Sequence, residues 1–247
     1  KSLGRTVCLK LLDKEKTAKF ESRFQIGHKP PEGEVCVGLR HPNIVRTLDY
    51  GISFQGEPFL VMELIEGDGM NLLVETRSPR LDGNRVNYLG QLADALEYVH
   101  GHGYLHRDIC PRNVMVDREG VVKLIDFGLT IPNKPEFCKP GNRTGTTDYL
   151  APELIRRVTT DHRVDLFALG VTAYEMYTHG LPWEKGASLE TLLKHMNTPP
   201  RNPRELRPDL DDTVVKFLLK GVARNPDERF QSAREFREAL ETLPGKY

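Results

Sequence analysis

Charge of one sign is what this chain lacks most plainly. Lysine plus arginine and aspartate plus glutamate each number 35, so the formal net charge is zero. A balanced chain exerts no long-range pull on nucleic acid or an anionic membrane, although a local basic patch remains open. Cysteine is sparse too. Cys8, Cys36, Cys110 and Cys138 lie far apart with no CxxC pair. Zinc and a disulfide framework are therefore poor readings, and a reducing, cytoplasmic setting is the expected one. No apolar run approaches the ~18 residues that span a bilayer, and no signal peptide opens the chain. We expect no nucleic-acid partner and no membrane contact from this segment. Both termini read as cut from something longer, which leaves room for regulatory or membrane-anchoring domains outside the chain. At 247 residues, the chain suits one large domain or two lobes sharing a cleft.

What is present divides into two halves. Residues 6–12, 44–50 and 58–65 are apolar, β-branched-rich runs that predict strands. Between the first two lies a charged, helix-capable stretch broken by Gly27, Pro30, Pro31 and Gly33, where only a short helix over 31–39 is predicted. After Gly67-Asp68-Gly69 the pattern turns helical. Val86, Leu89, Leu92, Ala93, Leu96 and Val99 recur every three or four residues and form one buried stripe. Short strands are expected at 113–116 and 121–125, joined by the turn Asp117-Arg118-Glu119-Gly120. Helical patterns follow at 163–178, 188–196, 212–221 and 232–243. Strands first and helices afterwards describe an α+β protein. The boundary falls between a sheet lobe with its hinge, 1–66, and a larger helical lobe, 67–247.

Three short motifs stand in order in the second half: His106-Arg107-Asp108-Ile109-Cys110-Pro111-Arg112-Asn113, then Asp126-Phe127-Gly128, then Ala151-Pro152-Glu153. Each alone is weak; the order is not. With Asn225-Pro226-Asp227-Glu228-Arg229-Phe230, the chain from Val7 to Leu240 resembles the catalytic domain of eukaryotic-type Ser/Thr protein kinases, bacterial members in particular. The resemblance implies a two-lobed fold with a small, here incomplete, antiparallel sheet lobe and a larger helical lobe, with ATP and Mg²⁺ in the cleft. By motif match, Asp108 accepts the proton of a substrate hydroxyl, while Asn113 and Asp126 hold Mg²⁺ against the phosphates.

The same resemblance assigns the first half. Val7-Cys8-Leu9-Lys10 matches the strand whose lysine reaches ATP phosphates as a point charge. Its acidic partner is expected at Glu32, with Glu34 the competitor. Met62 matches the residue limiting the depth of the adenine pocket, and backbone groups of Glu63 and Ile65 are expected to read adenine. Cys8 above and Met115 below match the positions that sandwich the ring. His106, Asp165 and the Glu153–Arg229 pair match architectural positions. Thr146 matches the threonine that serine- and threonine-directed members place near the catalytic aspartate, so the expected partner is a protein bearing serine or threonine.

Two departures qualify the match. Only nine residues precede Lys10, and Lys1-Ser2-Leu3-Gly4 is no G-x-G-x-x-G, so either the sequence starts downstream of the phosphate-covering loop or the protein lacks its first strands. Cys110 stands where relatives carry a lysine that contacts the transferred phosphoryl. Arg112, two residues on, is expected to supply the missing cation through its guanidinium fork. These departures keep open a regulatory pseudokinase that retains the fold, with or without nucleotide, and has no turnover. A small-molecule phosphotransferase of related fold is disfavoured by Ala151-Pro152-Glu153. Of the hydroxyl residues between Gly128 and Gly145, Thr130 and Thr144, the latter is the expected activation-segment phosphosite opposite Arg107. The alternative is a segment ordered without phosphate by Pro132, Pro135 and Pro140.

Overall fold

The computed structural model describes residues 4, 6–24, 29–141, 144–186 and 188–247. Residues 1–3 and Gly27, used in the sequence reading, lie outside the described residues.

The small lobe is a sheet of β1 (Val7–Leu11), β3 (Pro58–Glu63) and β2 (Thr47–Ile52), antiparallel with β3 in the centre. Side chains alternate across a strand, so the register decides what meets what. Cys8 lies opposite Met62 and Lys10 opposite Leu60, which places all four on the inner face. Leu9 and Leu11 are left exposed on the other.

β2 starts at Thr47 rather than at the expected residue 44. Ile44 and Val45 are buried, but their backbone turns to the other lobe. The Val45 amide donates to the Leu124 carbonyl at 3.0 Å, and the Leu124 amide donates to Asn43 at 2.8 Å. Burial against a neighbouring lobe and burial in a sheet select the same β-branched residues, so composition could not separate them.

Two helices join β1 to β2, where one was expected. The first, α1 (Lys14–Glu21), is capped by the Asp13 carboxylate, which accepts from the Lys16 amide at 3.0 Å and satisfies a helix-end donor. Phe20 is its single buried residue, too little to give a periodic signal. The second, α2 (Glu32–Gly38), lies against β2 through Gly33, where a Cβ would sit 2.4 Å from the Tyr50 ring.

The large lobe opens with β4 (Gly67–Gly69) and α3 (Met70–Glu75), then α4 (Arg85–Gly101), whose Leu89, Leu92, Ala93, Leu96 and Val99 are almost wholly buried. Next come β5 (Tyr104–Leu105), β6 (Val114–Asp117), β7 (Val122–Leu124) and β8 (Ile131–Pro132). β6 pairs with both β4 and β7, and β5 pairs with β8. Asn113 belongs to a 3₁₀ turn before β6, not to the strand. The remaining helices are α5 (Pro152–Ile155), α6 (Arg163–Thr178), α7 (Leu189–Asn197), α8 (Pro203–Leu206), α9 (Asp212–Gly221) and α10 (Ala233–Leu240), the last ending three residues before expectation. α6 is apolar nearly all round and runs through the core as such a helix must.

Arg229 and Glu153 bind each other in parallel, Nη1 to Oε1 at 2.7 Å and Nη2 to Oε2 at 2.8 Å, both side chains buried. Arg229 also donates to the carbonyls of Ala223, Arg163 and Arg224. Arg229→Ala strands a buried carboxylate and is expected to lower unfolding free energy by about 3–5 kcal/mol. Replacing both partners by well-packed apolar residues should recover much of that in denaturant titrations.

Candidate active site

The loop from His106 to Asn113 is set by Asp165 on α6. Its carboxylate accepts the backbone amides of His106 and Arg107, each at 2.8 Å, and lies 2.9 Å from His100 Nε2. Burial alone would favour the neutral acid, but these donors outweigh it and hold the carboxyl below its ordinary value. His106 is wholly buried and meets the Phe127 ring edge-on at 4.8 Å. Arg107 and Asp126 are non-glycine residues with φ of 72° and 62°. Such backbone costs about 1–3 kcal/mol per residue and persists where surrounding contacts over-determine it, often at working sites.

Asp108 is gripped from both sides. Its Oδ1 accepts the amide and hydroxyl of Thr146 at 2.7 and 2.8 Å, and its Oδ2 accepts Asn113 Nδ2 at 2.9 Å. Gly145 makes this approach possible: its φ is 127°, and a Cβ there would lie 2.8 Å from the Arg107 carbonyl. Asn113 Nδ2 also donates to the Asp108 carbonyl, so the amide oxygen of Asn113 faces the other way. Arg112 is exposed, yet its Nη2 donates to the Thr146 hydroxyl at 3.2 Å. Cys110 Sγ lies 3.8 Å from the same hydroxyl. Burial raises the Cys110 thiol pKa, so it carries no charge near neutral pH.

Lys10 joins the lobes. Its Nζ lies 2.7 Å from Glu32 Oε1 and 2.9 Å from Asp126 Oδ1, whereas Glu34 points to solvent. Burial would lower the lysine's pKa, but the two carboxylates outweigh it and raise it. Burial likewise opposes ionisation of Asp126, and Lys10 overcomes it, holding that carboxyl low. Both groups are charged near neutral pH.

Beside this ion cluster is a cleft of about 260 Å³. Cys8, Met62, Glu63, Ile65 and Met115, all singled out in the sequence, line it. So do Val45, Leu60 and Ile125, which sequence reasoning missed. Leu60 had a signal, because it stands two residues before Met62 on one strand face; Val45 and Ile125 had none. The Glu63 carboxylate is tied back to the Arg46 amide and Lys123 Nζ, both at 2.9 Å. Cys36 also reaches the cleft, but burial pushes its thiol up to about 12, which excludes a thiolate nucleophile.

A wider groove of about 640 Å³ lies over Asp108, Arg112 and Thr146, with Tyr149, Glu175 and Lys185 on its walls. The Tyr149 hydroxyl donates to Glu175. Asp126 lines the apolar slot and Asp108 lines the polar groove. Among the described residues no cluster of three or more His, Cys, Asp or Glu side chains could cage a metal. Mg²⁺ keeps waters and substrate oxygens and asks for only one or two protein carboxylates. Asp126, with Asn113 supplying a neutral oxygen, fits that donor set.

The chain is 32% identical over 258 aligned residues to the serine/threonine-protein kinase pkn3 of Myxococcus xanthus, covering 98% of this chain and 46% of that protein. It is 30% identical over 250 residues to the serine/threonine-protein kinase PknB of Mycolicibacterium smegmatis, covering 96% and 39%. It is also 34% identical over 233 residues to the tyrosine-protein kinase MasK of Myxococcus xanthus, covering 86% and 35%. The chain therefore spans less than half the length of these curated relatives. A family described as the protein kinase domain matches residues 1–241, and with the two-lobed α+β fold around Lys10, Asp108 and Asp126 the chain belongs to the protein kinase family.

Proposed function

We propose that this protein transfers the terminal phosphoryl group of Mg-ATP to serine or threonine hydroxyls of protein substrates. The observation that carries this is the grip of Thr146 and Asn113 on Asp108 along the polar groove, with Arg112 bonded to the same Thr146 hydroxyl. Cys8, Met62 and Met115 enclose the adenine, and the backbone of Glu63 and Ile65 reads its edge. Lys10, held by Glu32, binds phosphate oxygens. Asn113 and Asp126 hold Mg²⁺, which when bound screens the phosphate charge. Asp108 orients the substrate hydroxyl and accepts its proton. Thr146 keeps the Asp108 carboxylate directed, and Arg112 presents positive charge where the phosphoryl group passes. The lobes divide at 66/67, where β4 begins. Of the two departures that keep the fold-only regulatory alternative open, the one at Cys110 is answered by the bond from Arg112 to Thr146, a cation two residues away. No helix among the described residues is long and apolar enough to cross a membrane.

Labelled Mg-ATP with dephosphorylated casein as acceptor tests the reading. Phosphoserine and phosphothreonine are expected after acid hydrolysis; phosphotyrosine alone would overturn the hydroxyl class. Asp126→Ala should weaken nucleotide binding about tenfold or more in Mg²⁺, the scale of one contact to a charged group, and leave metal-free binding unchanged. Calorimetric titration with and without Mg²⁺ checks this.

A further inference from the structure

Outside the main core is a second apolar cluster of Phe20, Leu105, Ile131, Phe137 and Cys138, each buried. Phe24 and Leu129 pack against it. Its parts come from places with no sequence neighbourhood: the end of α1, β5, and the segment after Asp126-Phe127-Gly128. Phe20 and Phe24 meet edge to face at 5.3 Å, and Phe24 meets Phe137 at 5.5 Å. Leu105 and Ile131 are partners across the β5–β8 pair. The segment is tied down further by Asn133 to Gly103, 2.7 Å, and by Thr160 to Cys138, 3.1 Å, backbone to backbone.

The spacing of this cluster from the working residues is regular. Leu105 stands three residues before Asp108, and Leu129 three residues after Asp126. Lys29 stands three residues before Glu32, is buried, and holds its Nζ 5.2 Å over the Phe20 ring. One cluster built around these rings thus holds or adjoins a residue three positions from each of the three carboxylates that define the site. Of the hydroxyls between Gly128 and Gly145, Thr130 is buried and closed to modification.

We propose that Phe20, Phe24 and Phe137 form an aromatic latch that positions Glu32, Asp108 and Asp126 for phosphoryl transfer, so that this segment is ordered without a phosphate. The inference rests on the kinase reading above. It differs from proline-ordering because the ordering contact is made by α1 of the other lobe. These phenylalanines touch no reacting atom; they are positioning residues. Aromatic pairs give such a contact both direction and apolar area. Misplacing a reacting group by about 1 Å through a distant substitution commonly costs up to about 10²-fold in rate.

The test compares Phe20→Ala, Phe24→Ala, Phe137→Ala and Phe137→Leu with Thr144→Ala, reading transfer to casein, nucleotide affinity and backbone hydrogen exchange over 131–138. The alanine variants should lose about 10–100-fold in kcat with nucleotide affinity changed less than about threefold, and exchange at 131–138 should quicken. Phe137→Leu should restore most of the rate, and Thr144→Ala should stay within about twofold of the parent. Parent kcat in Phe20→Ala and Phe24→Ala would overturn the latch, as would a Thr144→Ala loss equal to that of Phe137→Ala. If Phe137→Ala fails to fold, the half-buried Phe24 decides by the same readouts. Exchange is read without turnover, so unchanged protection in Phe20→Ala sinks the latch alone. A protected segment in a parent that transfers no phosphate sinks the kinase reading instead.

Discussion

Asp108→Asn is expected to lower turnover by about 10²–10⁴-fold, the usual span for a positioned general base. The amide keeps the shape of the carboxylate but cannot take a proton from a hydroxyl. It also disturbs a grip in which every neighbour donates: Thr146 gives its amide and hydroxyl to one oxygen, and Asn113 gives Nδ2 to the other. Whichever way the new amide is turned, its NH₂ faces a donor. One lost and opposed hydrogen bond of this kind costs about 1–3 kcal/mol, which a domain of this size tolerates. The cleft lined by Met62 and Met115 does not include Asp108 among its walls and should bind nucleotide as before. Steady-state kinetics with a parallel nucleotide titration separates these effects. Full activity in the variant would remove Asp108 from the mechanism.

Arg112→Ala is expected to lower kcat by about 10²–10³-fold with little change in nucleotide affinity, the scale for removing one well-placed electrostatic donor. Arg112 is exposed, and an exposed arginine usually has only solvent as partner. Its bond to the Thr146 hydroxyl places it beside Asp108 instead. Cys110 cannot substitute for it, because a thiol carries either no charge or a negative one. Cys110→Lys sends an ammonium towards Thr146 from a buried position and should partly rescue Arg112→Ala. Single-turnover rates of the parent, both single variants and the double variant form a cycle whose coupling term measures the exchange of one cation for the other. If Arg112→Ala transfers phosphate at the parent rate, Cys110 marks a slow enzyme and Arg112 only shapes the groove.

The order of the chemical motifs was legible in the sequence, and so were the long helices of the large lobe. α6 and α9 begin and end at the expected residues, because apolar periodicity is a local property and these helices are long enough to display it. The residue types at positions 10, 108, 113 and 126 were legible for a similar reason: charge and hydrogen-bonding capacity belong to side chains before any fold exists. Resemblance already favoured Glu32 over Glu34, but the physical reason for that choice lies in the tertiary structure. The two stand 200° apart on a short helix, and the close seat of Gly33 against Tyr50 turns one inward and the other out. Only the tertiary structure could send Ile44 and Val45 to the large lobe, or bring Arg112 to Thr146 across 34 positions. The same holds for α1, whose one buried residue meets partners more than eighty positions away. Local pattern records which face of an element is apolar. It does not record which distant surface that face will meet, because that depends on how all the other elements pack.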